Sequence, residues 1–213
     1  MEIIKKANRV IYKVCGEPIS TPSRMYPLES DSFRCFDADN TREVVDEKVK
    51  AIFDSIKPEV GRCFTNAEKL CVALKKEGYL AEQYVGWLFM ADEFPVHHSF
   101  VVLGNHILDL SISLKSEDYE VLDTITSKCS TKDEARECIA EYMLQREQMP
   151  NHQRCIFGAV DKTYHYIGAP GTREEGIKRN KELRRIYPQH PCFQDVKNGT
   201  TKGQEVLLRK NTE

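Results

Sequence analysis

The sequence predicts an α+β protein in which one helix packs against an antiparallel sheet. Three observations carry this expectation. Apolar residues recur at helical spacing through residues 40–56 and again from Cys63 to Leu74. Strand-like runs follow at 81–90, 97–103 and 106–113, and the last two flank Gly104-Asn105, a two-residue connection of the kind that primed hairpin turns prefer. Two more helical patterns lie downstream, at 131–148 and 172–186.

Taken in order, residues 2–14 mix β-branched and basic side chains and fit either a strand or a short helix. Residues 15–40 hold Gly16, Pro18, Pro22 and Pro27 among Ser and Asp, which reads as a long irregular loop and a candidate lid over a cleft. Asn40 with Glu43 three residues on is a helix-start signature, and Val45, Val49, Ile52, Phe53 and Ile56 follow on one face until Pro58. A second helix opens at Cys63, with Phe64, Ala67, Leu70, Cys71 and Leu74 on its apolar face and Gly78 as its stop. After the three strands, a further strand is expected around 119–122. Thr131 with Glu134 then starts a helix that Pro150 ends. Tyr164-His165-Tyr166 before a Gly-Ala-Pro-Gly turn reads as a strand at the sheet edge, and the helix over 172–186 is too charged to be central. The segment after Pro188 reads as a loosely ordered polar tail. The expected organisation is thus a single domain over 1–190, with 1–40 as an N-terminal segment, and a tail over 191–213.

Composition excludes several classes. The chain has 213 residues, 40% hydrophobic and 30% charged, with 31 Lys and Arg against 33 Asp and Glu. A net charge of -2 gives no general attraction to nucleic acid. No stretch approaches the roughly 18 to 20 apolar residues of a membrane span, and residues 1–15 are broken by Lys5, Lys6, Asn8, Arg9 and Lys13, so no apolar leader core is expected there. The expectation is a cytoplasmic protein without membrane or nucleic-acid partners. The 8 cysteines lack the short, exported context of a disulfide scaffold, and most are expected as free thiols. There is no Cys-x-x-Cys, and His97, His98, His106, His152, His165 and His190 form no zinc knuckle. No metal and no cofactor are expected.

One constellation carries chemistry. A thiol attacks as thiolate, which the unpaired amides of a helix start and a neighbouring imidazolium both stabilise. Cys63 stands at such a start, His98 near the start of the first hairpin strand and Asp109 on the second. With Gly104-Asn105 as the turn, Leu103 faces His106, Phe100 faces Asp109 and His98 faces Ser111, so these four share a face and His97 lies on the other. Asp109 becomes a diagonal neighbour of His98, placed to fix its tautomer.

Gly61-Arg62-Cys63-Phe64-Thr65-Asn66-Ala67 resembles the Gly-Gln-Cys-Trp-x-x-Ala nucleophile motif of the transglutaminase-like branch of papain-like thiol enzymes. His98-Ser99-Phe100 resembles that family's His-x-Trp, and Leu108-Asp109-Leu110-Ser111 its Asp-x-Thr, in the right order. The resemblance covers about residues 59–113. Gln is replaced by Arg62 and Trp by Phe64, and Val101 and Val102 stand where an acidic residue often follows the His-aromatic pair. It implies a papain-like/transglutaminase-like core and a Cys63–His98–Asp109 triad. The triad would attack peptide or side-chain amide bonds through a thioester, as a hydrolase or an acyltransferase. The Cys63 backbone N–H would meet the oxyanion; Arg62 and Asn66 are candidates for a second donor and Trp87 for lining a substrate groove.

Plainer readings stand beside these. Taken alone, Cys63 is a buried core thiol, His98 a strand histidine with a satisfied hydrogen bond, and Asn66 a residue of local packing. Asp109, between Leu108 and Leu110, sits where burial is expected, and a buried charge calls for a partner. The competing class is a catalytically silent protein-binding module on the same fold. A redox thiol is disfavoured by the absence of Cys-x-x-Cys.

Overall fold

The computed structural model describes residues 3–193 other than 7, 15–16, 27–32, 60–61, 91–94, 112–120, 123, 148–155, 161 and 163. The fold is α+β. Strands β1 (Ile3–Lys6), β2 (Arg9–Val14) and β3 (Glu17–Pro22) form an antiparallel sheet in that order. A second, six-stranded sheet uses β4 (Arg34–Phe36), β5 (Ala81–Met90), β6 (Val96–Leu103), β7 (His106–Asp109), β8 (Ile156–Gly158) and β9 (Tyr164–Pro170) in the order β4-β9-β5-β6-β7-β8. Helices α1 (Glu47–Ser55), α2 (Cys63–Lys76), α3 (Lys132–Glu147) and α4 (Arg173–Ile186) complete the labelled elements.

The N-terminal expectations need correction. Within residues 2–14, Ile3–Lys6 and Arg9–Val14 are strands, and 15–40 is not one irregular loop: β3 occupies Glu17–Pro22, a 3-10 turn Ser23–Met25, and β4 Arg34–Phe36. Pro18 and Pro22, the residues that suggested a loop, sit on the edge strand β3, where a missing N–H is tolerated. Met25 and Tyr26 are buried against Trp87 and Phe89, so this part of the segment is core and not a lid. Residues 27–32 lie outside the described residues.

Helix α1 starts later than Asn40 predicted. Asp46 is the cap, accepting from the N–H groups of Lys48 and Val49, while the Asn40 amide is spent in a turn, accepting from Asp37 N–H and donating to the Cys35 carbonyl. Val45 therefore stands outside the helix, 92% exposed. Helix α2 begins at Cys63 and ends as expected. Gly78 N–H donates to Lys75 O and Tyr79 N–H to Leu74 O, the paired bonds that close a helix on a left-handed glycine. Within the expected strand at 119–122, residues 121–122 are helical and 119–120 lie outside the described residues. The Thr131 cap holds, donating nothing but accepting from Glu134 N–H; Pro150 lies outside the described residues.

The hairpin register is the predicted one, with Leu103 opposite His106, Val102 opposite Ile107 and Val101 opposite Leu108. Strand β7 stops at Asp109, short of the predicted Ser113. The Tyr164 strand is not at the edge: β9 lies between β4 and β5. The two faces of the large sheet bury different cores. One face carries Tyr84, Leu88, Phe100, Val102, Ile107, Tyr164 and Tyr166, packed with Phe36. The other is covered by α1 and α2, through Val49, Phe53, Leu70 and Leu74 on Val101 and Leu108, and by the small sheet and α4, through Val10, Tyr12 and Leu183 on Trp87, Phe89 and Ile167.

Helix α4 is more central than its charge suggested. Leu183 is fully buried, and Gly176 meets α2 so closely that a Cβ there would stand 2.5 Å from the Phe64 ring. The segment after Pro188 is also partly core: His190 and Phe193 are buried against Trp87 in a 3-10 turn over Pro191–Phe193. Residues 194–213 lie outside the described residues.

Candidate functional site

The first turn of α2 is the origin of the site. Helices α1 and α4 start under side-chain caps, Asp46 for α1 and a reciprocal Thr172–Glu175 capping box for α4. Helix α2 has none: its cap position is Arg62, which makes no side-chain capping bond, and its first turn holds no acidic residue. The amides at its tip thus keep their capacity to donate, and the positive end of the helix dipole is uncompensated. Half-buried Cys63 stands on that tip.

Three neighbours hold the tip in place. The Asn66 side chain, 1% exposed, accepts from Glu59 N–H and donates to the Glu59 carbonyl, both at 2.9 Å, so the chain entering the helix is clasped at both backbone groups. Arg173, in the first turn of α4, donates to Thr65 Oγ1 at 3.2 Å. Phe64 packs on Gly176 and lies 5.6 Å from the His97 ring.

Consecutive residues of the helix start meet consecutive residues of β6. Phe64 reaches His97, and Cys63 stands near enough to the His98 ring to favour its charged form. His98 is 5% exposed, and its Nε2 lies 2.7 Å from Oδ2 of Asp109, itself 2% exposed. Since Nε2 is taken by the carboxylate, Nδ1 is the nitrogen left for the sulfur. Burial alone pushes the imidazole's pKa down. The charge and hydrogen bond of Asp109 outweigh that, with Cys63 adding to them, and the imidazole is raised to about 10. His98 is therefore an imidazolium near neutral pH, between a carboxylate and the Cys63 sulfur.

The structure thus brings Cys63, His98 and Asp109 together. It separates the other candidates. Asn66 is buried, its amide oxygen and one amide proton both engaged by the Glu59 backbone. Trp87 is 1% exposed and its indole N–H donates to the Met25 carbonyl at 2.7 Å, so it is a core residue; one side of it lines a cavity of about 300 Å³ with Val85, His97 and Arg179. Arg62 is exposed, next to Cys63 in the chain.

One residue of the site was missed. Tyr166 Oη donates to the same Asp109 Oδ2 at 2.9 Å, and Ser111 N–H donates to Oδ1 at 2.8 Å. Tyr166 lies on β9 and Asp109 on β7, three strand spacings apart, or roughly 14 Å in a flat sheet. Their hydrogen bond requires the sheet to curl toward this face. A strand reading of Tyr164-His165-Tyr166 was available from sequence, but nothing local points one of its side chains at residue 109.

His97 contrasts with its neighbour. It is held by Asn180, whose Nδ2 lies 3.0 Å from its Nδ1, and is packed among Trp87, Phe64 and Phe193. Burial, with the positive charges of Arg179 and the two neighbouring histidines, lowers its pKa to about 3. It is neutral, and no part of the triad.

Among the described residues, no helix is long and apolar enough to cross a membrane. Comparison of the chain with models of protein families, with curated proteins and with solved structures returned no match.

Proposed function

We propose that this chain is a thiol-dependent hydrolase or acyltransferase with a transglutaminase-like, papain-like catalytic core, acting on peptide or side-chain amide bonds. The observation that carries the reading is the His98 ring, buried between the Asp109 carboxylate and the Cys63 thiol at an uncapped helix tip.

In this reading the Cys63 sulfur adds to the amide carbonyl, its proton having passed to Nδ1 of His98. The carbonyl oxygen becomes an oxyanion facing the Cys63 backbone N–H, at a helix start that the Arg62 side chain does not cap. The tetrahedral adduct collapses to a thioester as the C–N bond breaks, and His98 returns the proton to the departing amine. Water gives hydrolysis and a second amine gives transfer; in either case His98 takes the nucleophile's proton and the sulfur leaves with it. Asp109 holds the Nε2–H tautomer throughout. Arg62 would select the substrate at the rim. A cytoplasmic place of action rests on the sequence alone.

The test is thiol reactivity. With iodoacetamide near pH 6.5, Cys63 is expected to alkylate at least about tenfold faster than the other cysteines, and His98→Ala to remove the difference. Equal labelling of all thiols, or an advantage that survives His98→Ala, would overturn the reading and favour a silent binding module.

A further inference from the structure

Asp109 receives three donors, not one. His98 Nε2 and Tyr166 Oη meet at Oδ2, at 2.7 and 2.9 Å, and Ser111 N–H takes Oδ1 at 2.8 Å. A carboxylate that accepts two or three such bonds shares its electron density among the donors. The phenol shares an oxygen with the imidazole, so it competes directly for the electron density that retains the His98 proton.

The surroundings keep the phenol there. Tyr166 is fully buried, and its ring lies edge-on to Phe100 at 4.8 Å. The Phe100 ring in turn rests over Gly168, where a Cβ would come within 3.2 Å of it. Gly86, between His98 and Gly168 in the sheet, admits no side chain either: a Cβ there would stand 1.9 Å from the Ile167 carbonyl oxygen. Gly168 and Gly86 thus stand side by side without side chains, and the Phe100 ring takes the space over Gly168.

We propose that Tyr166 is a positioning residue of the site: its O–H fixes the Asp109 carboxylate and moderates how tightly that carboxylate holds the His98 proton. The inference rests on the triad reading for its catalytic meaning but not for its physical content. Among the described residues, the titratable groups that face His98 are Asp109 from β7, Cys63 from α2 and Tyr166 from β9, while His97 lies on the other face of β6.

The experiment is a pH titration of His98 by nitrogen and carbon NMR on labelled full-length wild type and Tyr166→Phe, with Cys63 alkylation rates measured on the same samples. Removing the O–H leaves Asp109 a stronger partner for the imidazolium, so the His98 midpoint should rise by about 0.5 to 1 pH unit. A residue that merely packs would loosen the pair when altered and lower the midpoint. A rise supports the inference; an unchanged or lowered midpoint overturns it. Asp109→Asn calibrates the scale and should bring the midpoint down steeply. Alkylation separates the two propositions: a slow wild-type Cys63 would sink the enzyme reading even if the His98 midpoint moves as expected.

Discussion

His97 and His98 are adjacent in the chain and opposite in every physical respect. One faces the helices, among aromatic rings and an amide, and is held neutral with its pKa lowered to about 3. The other faces the curled side of the sheet, against a carboxylate, and is raised to about 10. The same residue type at the same depth is neutral in one case and charged in the other because a strand turns alternate side chains to opposite faces, and only one face sets a carboxylate against the ring. Burial sets the cost of the charge; the partner decides its sign.

The largest expected effect separates the two by pH. A depressed histidine stabilises the fold above its unfolded value of about 6.5 and loses that contribution as pH falls; His97 and His190, both lowered to about 3 by burial first of all, act in this direction. At roughly 1.4 kcal/mol per pKa unit for each group, the loss by pH 4 is on the order of 7 kcal/mol. His98 runs the other way, its contribution complete below about pH 6.5 and lost as pH rises toward 10. Urea midpoints across pH should therefore peak near neutrality and fall on both sides. His97→Leu should make the acid limb about half as steep; an unchanged limb would show that His97 is not neutral in the fold.

Next in size is Asp109→Ala, which leaves His98 without its carboxylate and Tyr166 without its acceptor. Removing one partner of a buried pair costs about 3–5 kcal/mol, to be read from denaturant unfolding, and Cys63 should lose its alkylation advantage at the same time. The corresponding change on the other face, Asn180→Ala, should cost only about 1–2 kcal/mol, because it strands a neutral ring nitrogen and not a charge. It should leave Cys63 alkylation unchanged. Equal costs for the two substitutions would remove the distinction drawn here. The smallest effect is expected from Arg62→Ala: exposed and making no capping bond, it should shift the unfolding midpoint by under about 0.5 kcal/mol and be felt, if Arg62 meets substrate, in KM alone.

What could be read from the sequence follows the range of the forces involved. The Gly104-Asn105 turn fixed the register by local backbone geometry, and with it the shared face of His98 and Asp109, because a two-residue loop leaves no freedom to slip. The start of α2 was legible from the apolar spacing after Cys63. The start of α1 was not, since Asn40 and Asp46 both suit a cap and only tertiary packing chose between them. Prolines concealed β3 because their cost vanishes on an edge strand, a property of the finished sheet. Tyr166 was beyond local reasoning altogether: its bond to Asp109 spans 57 positions and depends on how strongly the sheet curls. The buttressing of α2 by Arg173 and Gly176 was likewise hidden in a helix whose composition suggested a solvated rod.

The double clasp of Asn66 on Glu59 makes the entering chain and the first turn of α2 a single stiff piece. The orientation of the sulfur is then settled while the protein folds, so little conformational entropy is left to lose when a substrate arrives. In the proposed reaction, loosening that clasp, as in Asn66→Ala, would leave every reacting group in the molecule and still slow the chemistry, through time spent in unproductive poses.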